Sequence, residues 1–211
     1  MDRSKQIIAF NRYYSVSRET FECLEKYENI LINSNKKMNL IGKSTVANIW
    51  DRHILDSYQV VDFIDKNDKL LVDMGSGAGF PGLILSIATK DKKMPLKVIL
   101  IEKSSKKAEF LKKTITKLNL NAEVICKNVL DKQDIIPGDF FIARAFKPLS
   151  VILKLMHTQV NNFKKLIIFL GKTGKDELLH ASKTWDIQYK ESISLTSSDS
   201  LIIEINKLKK K

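Results

Sequence analysis

A glycine-rich segment at residues 73–82, DMGSGAGFPG, is the feature that most restricts how this chain can fold. It follows the apolar run 70–72 and precedes the apolar stretch 83–88, so the order predicts a buried strand, a glycine turn and a helix. Glycines allow a sharp turn and leave no Cβ between the main chain and a bound ligand. Pro81 suits the first turn of the helix, where a missing N–H costs nothing. The segment therefore predicts a cofactor cradle.

Strand-like and helix-like segments alternate over residues 66–211, which is typical of right-handed βαβ units. The predicted strands are 69–73, 96–101, 122–126, 140–144, 166–170, 186–193 and 200–206, and the helices between them are 81–89, 104–118, 148–160 and 174–182. No helix is evident between the last two strands, so we expect an antiparallel hairpin at one edge of the sheet. The fold class is therefore α/β and Rossmann-like, with a mostly parallel sheet of about seven strands.

The first 65 residues have a different pattern. Apolar side chains recur at three- and four-residue spacing over 3–35 and again over 46–63, which predicts two helical stretches. We predict a helical extension at 1–65 packed on one catalytic domain at 66–211.

Charge and composition indicate the class of partner and the compartment. The 211 residues include 36 Lys and Arg against 24 Asp and Glu, a net charge of +12 that attracts polyanions such as nucleic acid. A lysine-rich proteome would give the same excess. With no apolar run of 18 residues, no secretory leader and two distant cysteines, Cys23 and Cys126, we expect a cytoplasmic protein that does not span a membrane. Three histidines without metal-ligand spacing predict no metal site.

The glycine turn leaves two cofactor classes open. Residues 77–82 formally match GxGxxG, which favours a dinucleotide and an NAD(P)-dependent oxidoreductase. Asp73, just before the first glycine, would repel a pyrophosphate and suits a cationic cofactor, and S-adenosylmethionine carries a sulfonium and an ammonium but no phosphate. Glu102 ends the next predicted strand, where it can bind ribose hydroxyls of either cofactor. Val129 and Leu130 follow the third strand and can flank an adenine.

Four further motifs carry a family resemblance: Asn39-Leu40, the Arg-His-Ile-Leu-Asp-Ser block at 52–57, Phe80-Pro81-Gly82, and the Ala-Arg-Ala-Phe block at 143–146. With the glycine turn they resemble the RsmG (GidB) family, which methylates guanine N7 in 16S ribosomal RNA of the small subunit. The resemblance implies a class I S-adenosylmethionine-dependent methyltransferase fold and a partner that is this RNA or the subunit itself. It matches Gly75, Phe80, Val129, Leu130 and Arg144 to cofactor contacts, and Asp73, Gly77 and Glu102 to the general methyltransferase pattern.

The reaction implied by the resemblance needs no general base, because guanine N7 has an in-plane lone pair and carries no proton. Catalysis is then positioning and electrostatics. Arg144 stands in an apolar stretch, which favours either cofactor contact and positioning or an ordinary ion pair. His53 shares a helix face with Asp56 and forms either a wall of the active site or a structural hydrogen bond.

Three further residues are candidates for RNA contact: Arg52, Phe146 and Lys172. Phe146 stacks on a base or simply packs. Lys172 lies in Leu170-Gly171-Lys172, where the family has Leu-Lys-Gly, so its place at the site is open. We expect a monomer, and a non-catalytic RNA-binding or ribosome assembly factor stays an alternative.

Overall fold

Seven strands form one sheet in the computed structural model, which describes residues 2–92, 94–131 and 135–211. The strands are β1 (Leu70–Met74), β2 (Lys97–Ile101), β3 (Ala122–Ile125), β4 (Phe140–Arg144), β5 (Lys165–Leu170), β6 (Trp185–Ser194) and β7 (Ser197–Lys210), in the order β3-β2-β1-β4-β5-β7-β6. The first five are parallel, and β7 runs antiparallel to β5 and β6. The predicted fold class and the terminal hairpin are confirmed.

Helices cover both faces of the sheet because its strands are apolar on both sides. The described helices are α1 (Arg3–Tyr13), α2 (Arg18–Met38), the single turn α3 (Asp56–Tyr58), α4 (Gly82–Asp91), α5 (Ser105–Leu118), α6 (Leu149–Gln159) and α7 (Gly174–Ala181). Successive strand residues face opposite ways. Leu71 and Phe140 therefore pack with α2, α4 and α5, whereas Val72 and Phe141 pack with α6 and α7. A sheet covered on both faces exposes its functional side chains at the strand ends.

The stretch predicted to be helical over 3–35 is helical, but it is divided into two helices at residues 14–17. Tyr14 leaves α1 in an extended conformation, and the Ser17 side chain accepts a hydrogen bond from the Thr20 N–H (3.1 Å) to begin α2. Serine at this position stabilises a new helix start and competes with continuation of the old one. α2 then packs against α4 and α5, which border the cofactor cradle.

The second predicted stretch, 46–63, is helical but irregular. It consists of a 3₁₀ turn (Lys43–Asn48), a π turn (Trp50–Leu55), the single turn α3 and another 3₁₀ turn (Gln59–Phe63). π turns re-aim side chains and occur often at functional sites. The predicted proximity of His53 and Asp56 holds, since both contact the same arginine.

Candidate active site

The glycine turn follows β1 with three left-handed glycines, Gly75 (φ 78°), Gly77 (φ 57°) and Gly79 (φ 101°). Residues that carry a side chain rarely adopt such backbone angles. At Gly75 the need is also steric, because an added Cβ would lie 2.2 Å from a ring carbon of Phe146. The main chain at Gly75 therefore lies directly against the Phe146 ring, and any side chain at this position would clash with the ring.

The amides of the turn are already bound by the protein's own acceptors. The Gly77 N–H donates to Glu102 Oε2 (2.9 Å), and the Gly82 N–H donates to Asp73 Oδ2 (3.1 Å). Glu102 Oε1 also accepts from the Ser104 N–H (2.8 Å). A dinucleotide pyrophosphate needs such amides free and finds two carboxylates beside them instead. This arrangement disfavours the NAD(P) alternative.

Asp73 lies beneath the turn and does not line the cleft above it. The residue is fully buried, and desolvation raises the pKa of its carboxyl to about 7, against the opposing hydrogen bond from the Gly82 N–H. Among the described residues, its Oδ1 has no hydrogen-bond partner. Asp73 therefore anchors the start of α4 by its bond to Gly82, and its action on a cofactor in the cleft would be through charge rather than contact.

A cleft of about 450 Å³ opens at the carboxyl ends of β1 to β4. Its walls contain nine of the predicted site residues: His53, Gly75, Gly77, Phe80, Glu102, Val129, Leu130, Arg144 and Phe146. This is the rim where open α/β sheets bind ligands. The structure thus brings residues from five separate stretches of sequence to one cavity.

Arg144 joins two regions of the chain at one wall of the cleft. Its Nε donates to Asp56 Oδ2 (2.8 Å) and its guanidinium donates to the Arg52 carbonyl (2.6 Å), while the side chain keeps 17% of its exposure. Asp56 Oδ1 in turn accepts hydrogen bonds from Gln59 (3.0 Å), Ser194 (3.0 Å) and Thr196 (2.9 Å). The guanidinium is therefore fixed in direction by a carboxylate that is itself held in place.

His53 forms the neighbouring part of the wall as a neutral ring. It stacks on Phe80 (centroids 4.9 Å apart, planes 18° apart), and its Nε2 lies 2.9 Å from Thr45 Oγ1. Its Nδ1 lies 3.4 Å from the Arg144 guanidinium. Burial, followed by the Arg144 charge, lowers the pKa of His53 to about 4. An imidazole with this pKa is uncharged at neutral pH and supplies shape and stacking.

Arg52 and Lys172 are not brought to the cleft. The Arg52 side chain is exposed, and only its carbonyl reaches the site. Lys172 is 83% exposed, lies 3.3 Å from Asp199 and lines a separate groove with Gly171 and Lys175. In this chain the lysine follows Gly171, whereas in the family it precedes the glycine, and Lys172 lies outside the cleft.

Sequence reasoning missed several residues that the structure places at the site. Four lysines line the cleft: Lys103, Lys107, Lys127 and Lys147. Lys103 and Lys127 come soon after β2 and β3, so the rule that strand ends form the binding rim would have found them. The Tyr27 hydroxyl donates to the Ala78 carbonyl (2.7 Å), and burial raises the pKa of that phenol well above its usual value. Tyr27, Ser194 and Thr196 had no local indication.

The described residues contain neither a membrane-spanning helix nor a cluster of metal ligands. None of the helices there is long and apolar enough to cross a bilayer. No group of three or more His, Cys, Asp or Glu side chains in those ranges could hold a metal ion.

The sheet order and the position of the cleft are those of the Rossmann-like class I fold of S-adenosylmethionine-dependent methyltransferases. Two solved structures share the fold: a TehB-like SAM-dependent methyltransferase from Corynebacterium glutamicum (TM-score 0.55, 14% identity, 78% of this chain and 93% of that one) and TrmK of M. capricolum in complex with S-adenosyl-homocysteine (TM-score 0.54, 21% identity, 72% and 67%). The family model described as GidB, rRNA small subunit methyltransferase G, matches residues 20–203. The chain belongs to this S-adenosylmethionine-dependent family, as the resemblance predicted.

Curated relatives agree along almost the whole chain. The protein named ribosomal RNA small subunit methyltransferase G of Pelagibacter ubique is 41% identical over 199 residues, 93% of both chains. The protein of the same name from Rickettsia prowazekii is 37% identical over 196 residues, 92% of this chain and 98% of that one.

Proposed function

We propose that the protein transfers the methyl group of S-adenosylmethionine to N7 of a guanine in 16S ribosomal RNA. The observation that carries the choice of acceptor is that the described residues at the cleft include no group suited to remove a proton. His53 has a pKa of about 4, Glu102 accepts two backbone hydrogen bonds, and Asp73 is buried beneath the turn. A nucleophile without a proton, such as guanine N7, suits this environment.

The cleft residues fit the cofactor that the family uses. Glu102 keeps unused lone pairs at the end of β2, where ribose hydroxyls can donate to it. Val129 is buried and Leu130 half-buried, and together they offer an apolar wall for an adenine. Phe80 and the backbone at Gly75 border the remaining part of the cleft. The Gly77 and Gly82 amides, which a phosphate would need, are already bonded to Glu102 and Asp73, so these described bonds favour a cofactor without phosphate.

For this reaction the chain must align the guanine with the methyl group and exclude water from the cleft. When bound, S-adenosylmethionine supplies a methyl group on a positively charged sulfur. The N7 lone pair forms the new N–C bond as the S–C bond breaks. The electron pair of the broken S–C bond stays on sulfur, and no proton moves. Arg144, held by Asp56, fixes the wall beside Phe80, and the His53 ring stacks on that phenyl group with its Nδ1 3.4 Å from the guanidinium. Correct alignment of this kind supplies much of a transfer reaction's acceleration.

The charge distribution supports an RNA substrate. The net charge is +12, and four lysines line the cleft. Cations around a cleft draw a polyanion toward it, and the binding falls steeply with salt. We assign Phe146 to base contact and Arg52 to the outer RNA surface, whereas Lys172 lines a separate groove and is not assigned to the reacting base. A ribosomal substrate also favours the cytoplasm, and a single chain contains the whole cleft, which favours a monomer.

The test is methyl transfer to RNA of known modification state. Small-subunit RNA and small ribosomal subunits from a bacterial strain lacking this family's enzyme are incubated with the protein and labelled S-adenosylmethionine, and the product is mapped by mass spectrometry. We expect one N7-methylguanine. Methyl incorporation at another atom would refute the N7 assignment. Cofactor binding without transfer to either substrate would favour the assembly-factor alternative, and tight binding of NAD alone would favour the oxidoreductase.

A further inference from the structure

A second cavity of about 360 Å³ adjoins the cofactor cleft at the carboxyl ends of β4 and β5. The two cavities share three wall residues, Ala145, Phe146 and Lys147. Ala145 has a left-handed φ of 49°, which directs the chain sharply from β4 toward α6 at this shared wall. A molecule in the second cavity would therefore face one in the cleft across a single loop.

We infer that this second cavity receives the target guanine after it leaves its stack, and that the Glu177 carboxylate selects guanine by its Watson–Crick edge. The inference rests on the proposed function and adds where the base binds and what distinguishes guanine from adenine. Enzymes that modify a base must take it out of the stack and hold it in a pocket of this kind.

The walls of the second cavity suit a purine ring. Two half-buried phenyl groups line it, Phe146 on the cleft side and Phe169 on β5. The Arg144 guanidinium carbon lies 5.8 Å from the Phe169 ring centre and 5.9 Å from the Phe80 ring centre. Arg144 therefore stands between a ring of the cofactor cleft and a ring of the second cavity. Aromatic walls bind unstacked bases through their π faces.

Glu177 is the one acidic side chain among the lining residues of the second cavity. Its Oε2 accepts from the Leu149 N–H (2.9 Å) and its Oε1 from the Thr173 hydroxyl (3.2 Å), so both oxygens are fixed in direction at the first turn of α7. A carboxylate has about four acceptor positions, and each oxygen keeps one. Such a pair matches the adjacent N1–H and N2–H donors of guanine, whereas adenine presents a bare acceptor nitrogen at N1.

The same contact orients the reacting atom. N7 lies on the Hoogsteen edge, in the five-membered ring and therefore on the far side of the base from N1–H and N2–H. A base held at its Watson–Crick edge by Glu177 therefore turns N7 away from α7 and toward the shared wall and the cleft. Lys147, exposed at the rim of both cavities, is placed for the phosphate of the extruded nucleotide.

The decisive experiment is a double-mutant cycle between Glu177 and the 2-amino group of the base. Semi-synthetic small-subunit RNA carries either guanosine or inosine at the mapped position, since inosine lacks only that amino group. For the unmodified protein we expect kcat/KM to fall about 10-fold with inosine, the range of one good base contact. Glu177→Gln should lower kcat/KM on guanosine RNA by about 10-fold and lose most of the discrimination against inosine.

Asp176→Asn is the matched control, because it removes the neighbouring exposed carboxylate from the same first turn, outside the cavity lining. It should keep the full preference for guanosine. The ratio of kcat/KM for the two RNAs does not depend on the folded fraction, so partial unfolding of Glu177→Gln cannot imitate the result. Equal use of both RNAs by the unmodified protein, or an unchanged ratio in Glu177→Gln, would overturn the role of Glu177.

The stacking wall is tested separately with Phe169→Leu and Phe169→Tyr. Leucine keeps the apolar bulk but removes the π face, and we expect about a 10-fold loss in kcat/KM for RNA with an unchanged dissociation constant for S-adenosylmethionine. Tyrosine should keep most of the activity. Equal activity of both variants would place the base elsewhere. Failure of the unmodified protein to methylate guanosine RNA would instead defeat the proposed function on which the inference rests.

Discussion

The two walls of the cleft are built in different ways. The cofactor wall consists of the glycine turn at residues 73–82 and Glu102, and its contacts run between backbone amides and nearby carboxylates. The acceptor wall consists of Arg144, Asp56 and their partners, and its bonds from Asp56 to Arg144, Ser194 and Thr196 join residues 88 to 140 positions apart. The first wall is specified mainly by hydrogen bonds within one βαβ unit, joined by the close contact of Gly75 with Phe146. The second is specified by a buried ion pair that exists only after distant segments have met.

The largest expected effect comes from breaking the acceptor wall with Asp56→Ala. The change leaves the Arg144 guanidinium and three polar side chains without their common acceptor. Loss of one partner of a buried ion pair costs about 4 kcal/mol, and methyl transfer should be lost with it. Urea unfolding and a transfer assay measure both. Glu22→Ala, which removes the exposed Arg18–Glu22 pair in the same extension, should change little.

The corresponding break in the cofactor wall is Gly75→Ala. A Cβ there meets the Phe146 ring at 2.2 Å and requires a φ of 78°. Strain and overpacking together should cost about 3 kcal/mol of unfolding free energy. We expect binding of S-adenosylmethionine, measured by calorimetry, to weaken sharply. Gly171→Ala is the control, because its Cβ would have nothing within 4 Å, and normal binding by Gly75→Ala would contradict the steric account.

The two walls should also respond to pH in opposite directions. His53 has a folded pKa of about 4 against 6.5 unfolded, so its contribution to stability is lost as pH falls through that window. Asp73 has a folded pKa of about 7 against 3.8 unfolded, so its contribution is lost as pH rises. His53→Phe removes the first dependence and keeps a ring over Phe80.

From pH 6.5 to pH 5, we expect the unfolding free energy of the unmodified protein to fall by about 1.5 kcal/mol relative to His53→Phe. Urea titrations at both pH values measure the difference. A gap that stays constant over this range would mean that His53 titrates normally in the folded protein.

The smallest expected effect comes from the outer support of the acceptor wall. Ser194→Ala removes one hydroxyl from Asp56 and should cost about 1 kcal/mol. If the support orients Arg144, transfer should fall about 5-fold while the dissociation constant of S-adenosylmethionine is unchanged. Ser194→Thr should restore much of the rate, and Ser198→Ala, on the exposed side of the hairpin, should have no effect. Equal weakening of cofactor binding would assign Ser194 a merely structural role.

The sequence by itself determined the alternation of seven strands with helices, the terminal hairpin and the cofactor wall. These depend on local patterns: apolar runs, glycines at fixed spacing, and acids at strand ends that a parallel sheet must align at one edge. It also placed His53 and Asp56 on the same side, because three residues make nearly one helical turn. Family membership followed from four short motifs between residues 39 and 146, each of which is legible on its own in the sequence.

Only the tertiary structure decided the rest. The break before Ser17 and the π turn at Trp50–Leu55 override periodicity through capping and packing. Asp73 lies under the turn rather than in the cleft, because its carboxylate is used by the Gly82 N–H. The bonds from Ser194 and Thr196 to Asp56, and the second cavity beside Glu177, arise where segments remote in sequence meet. Such contacts depend on how the layers pack, and no local pattern of residues encodes them.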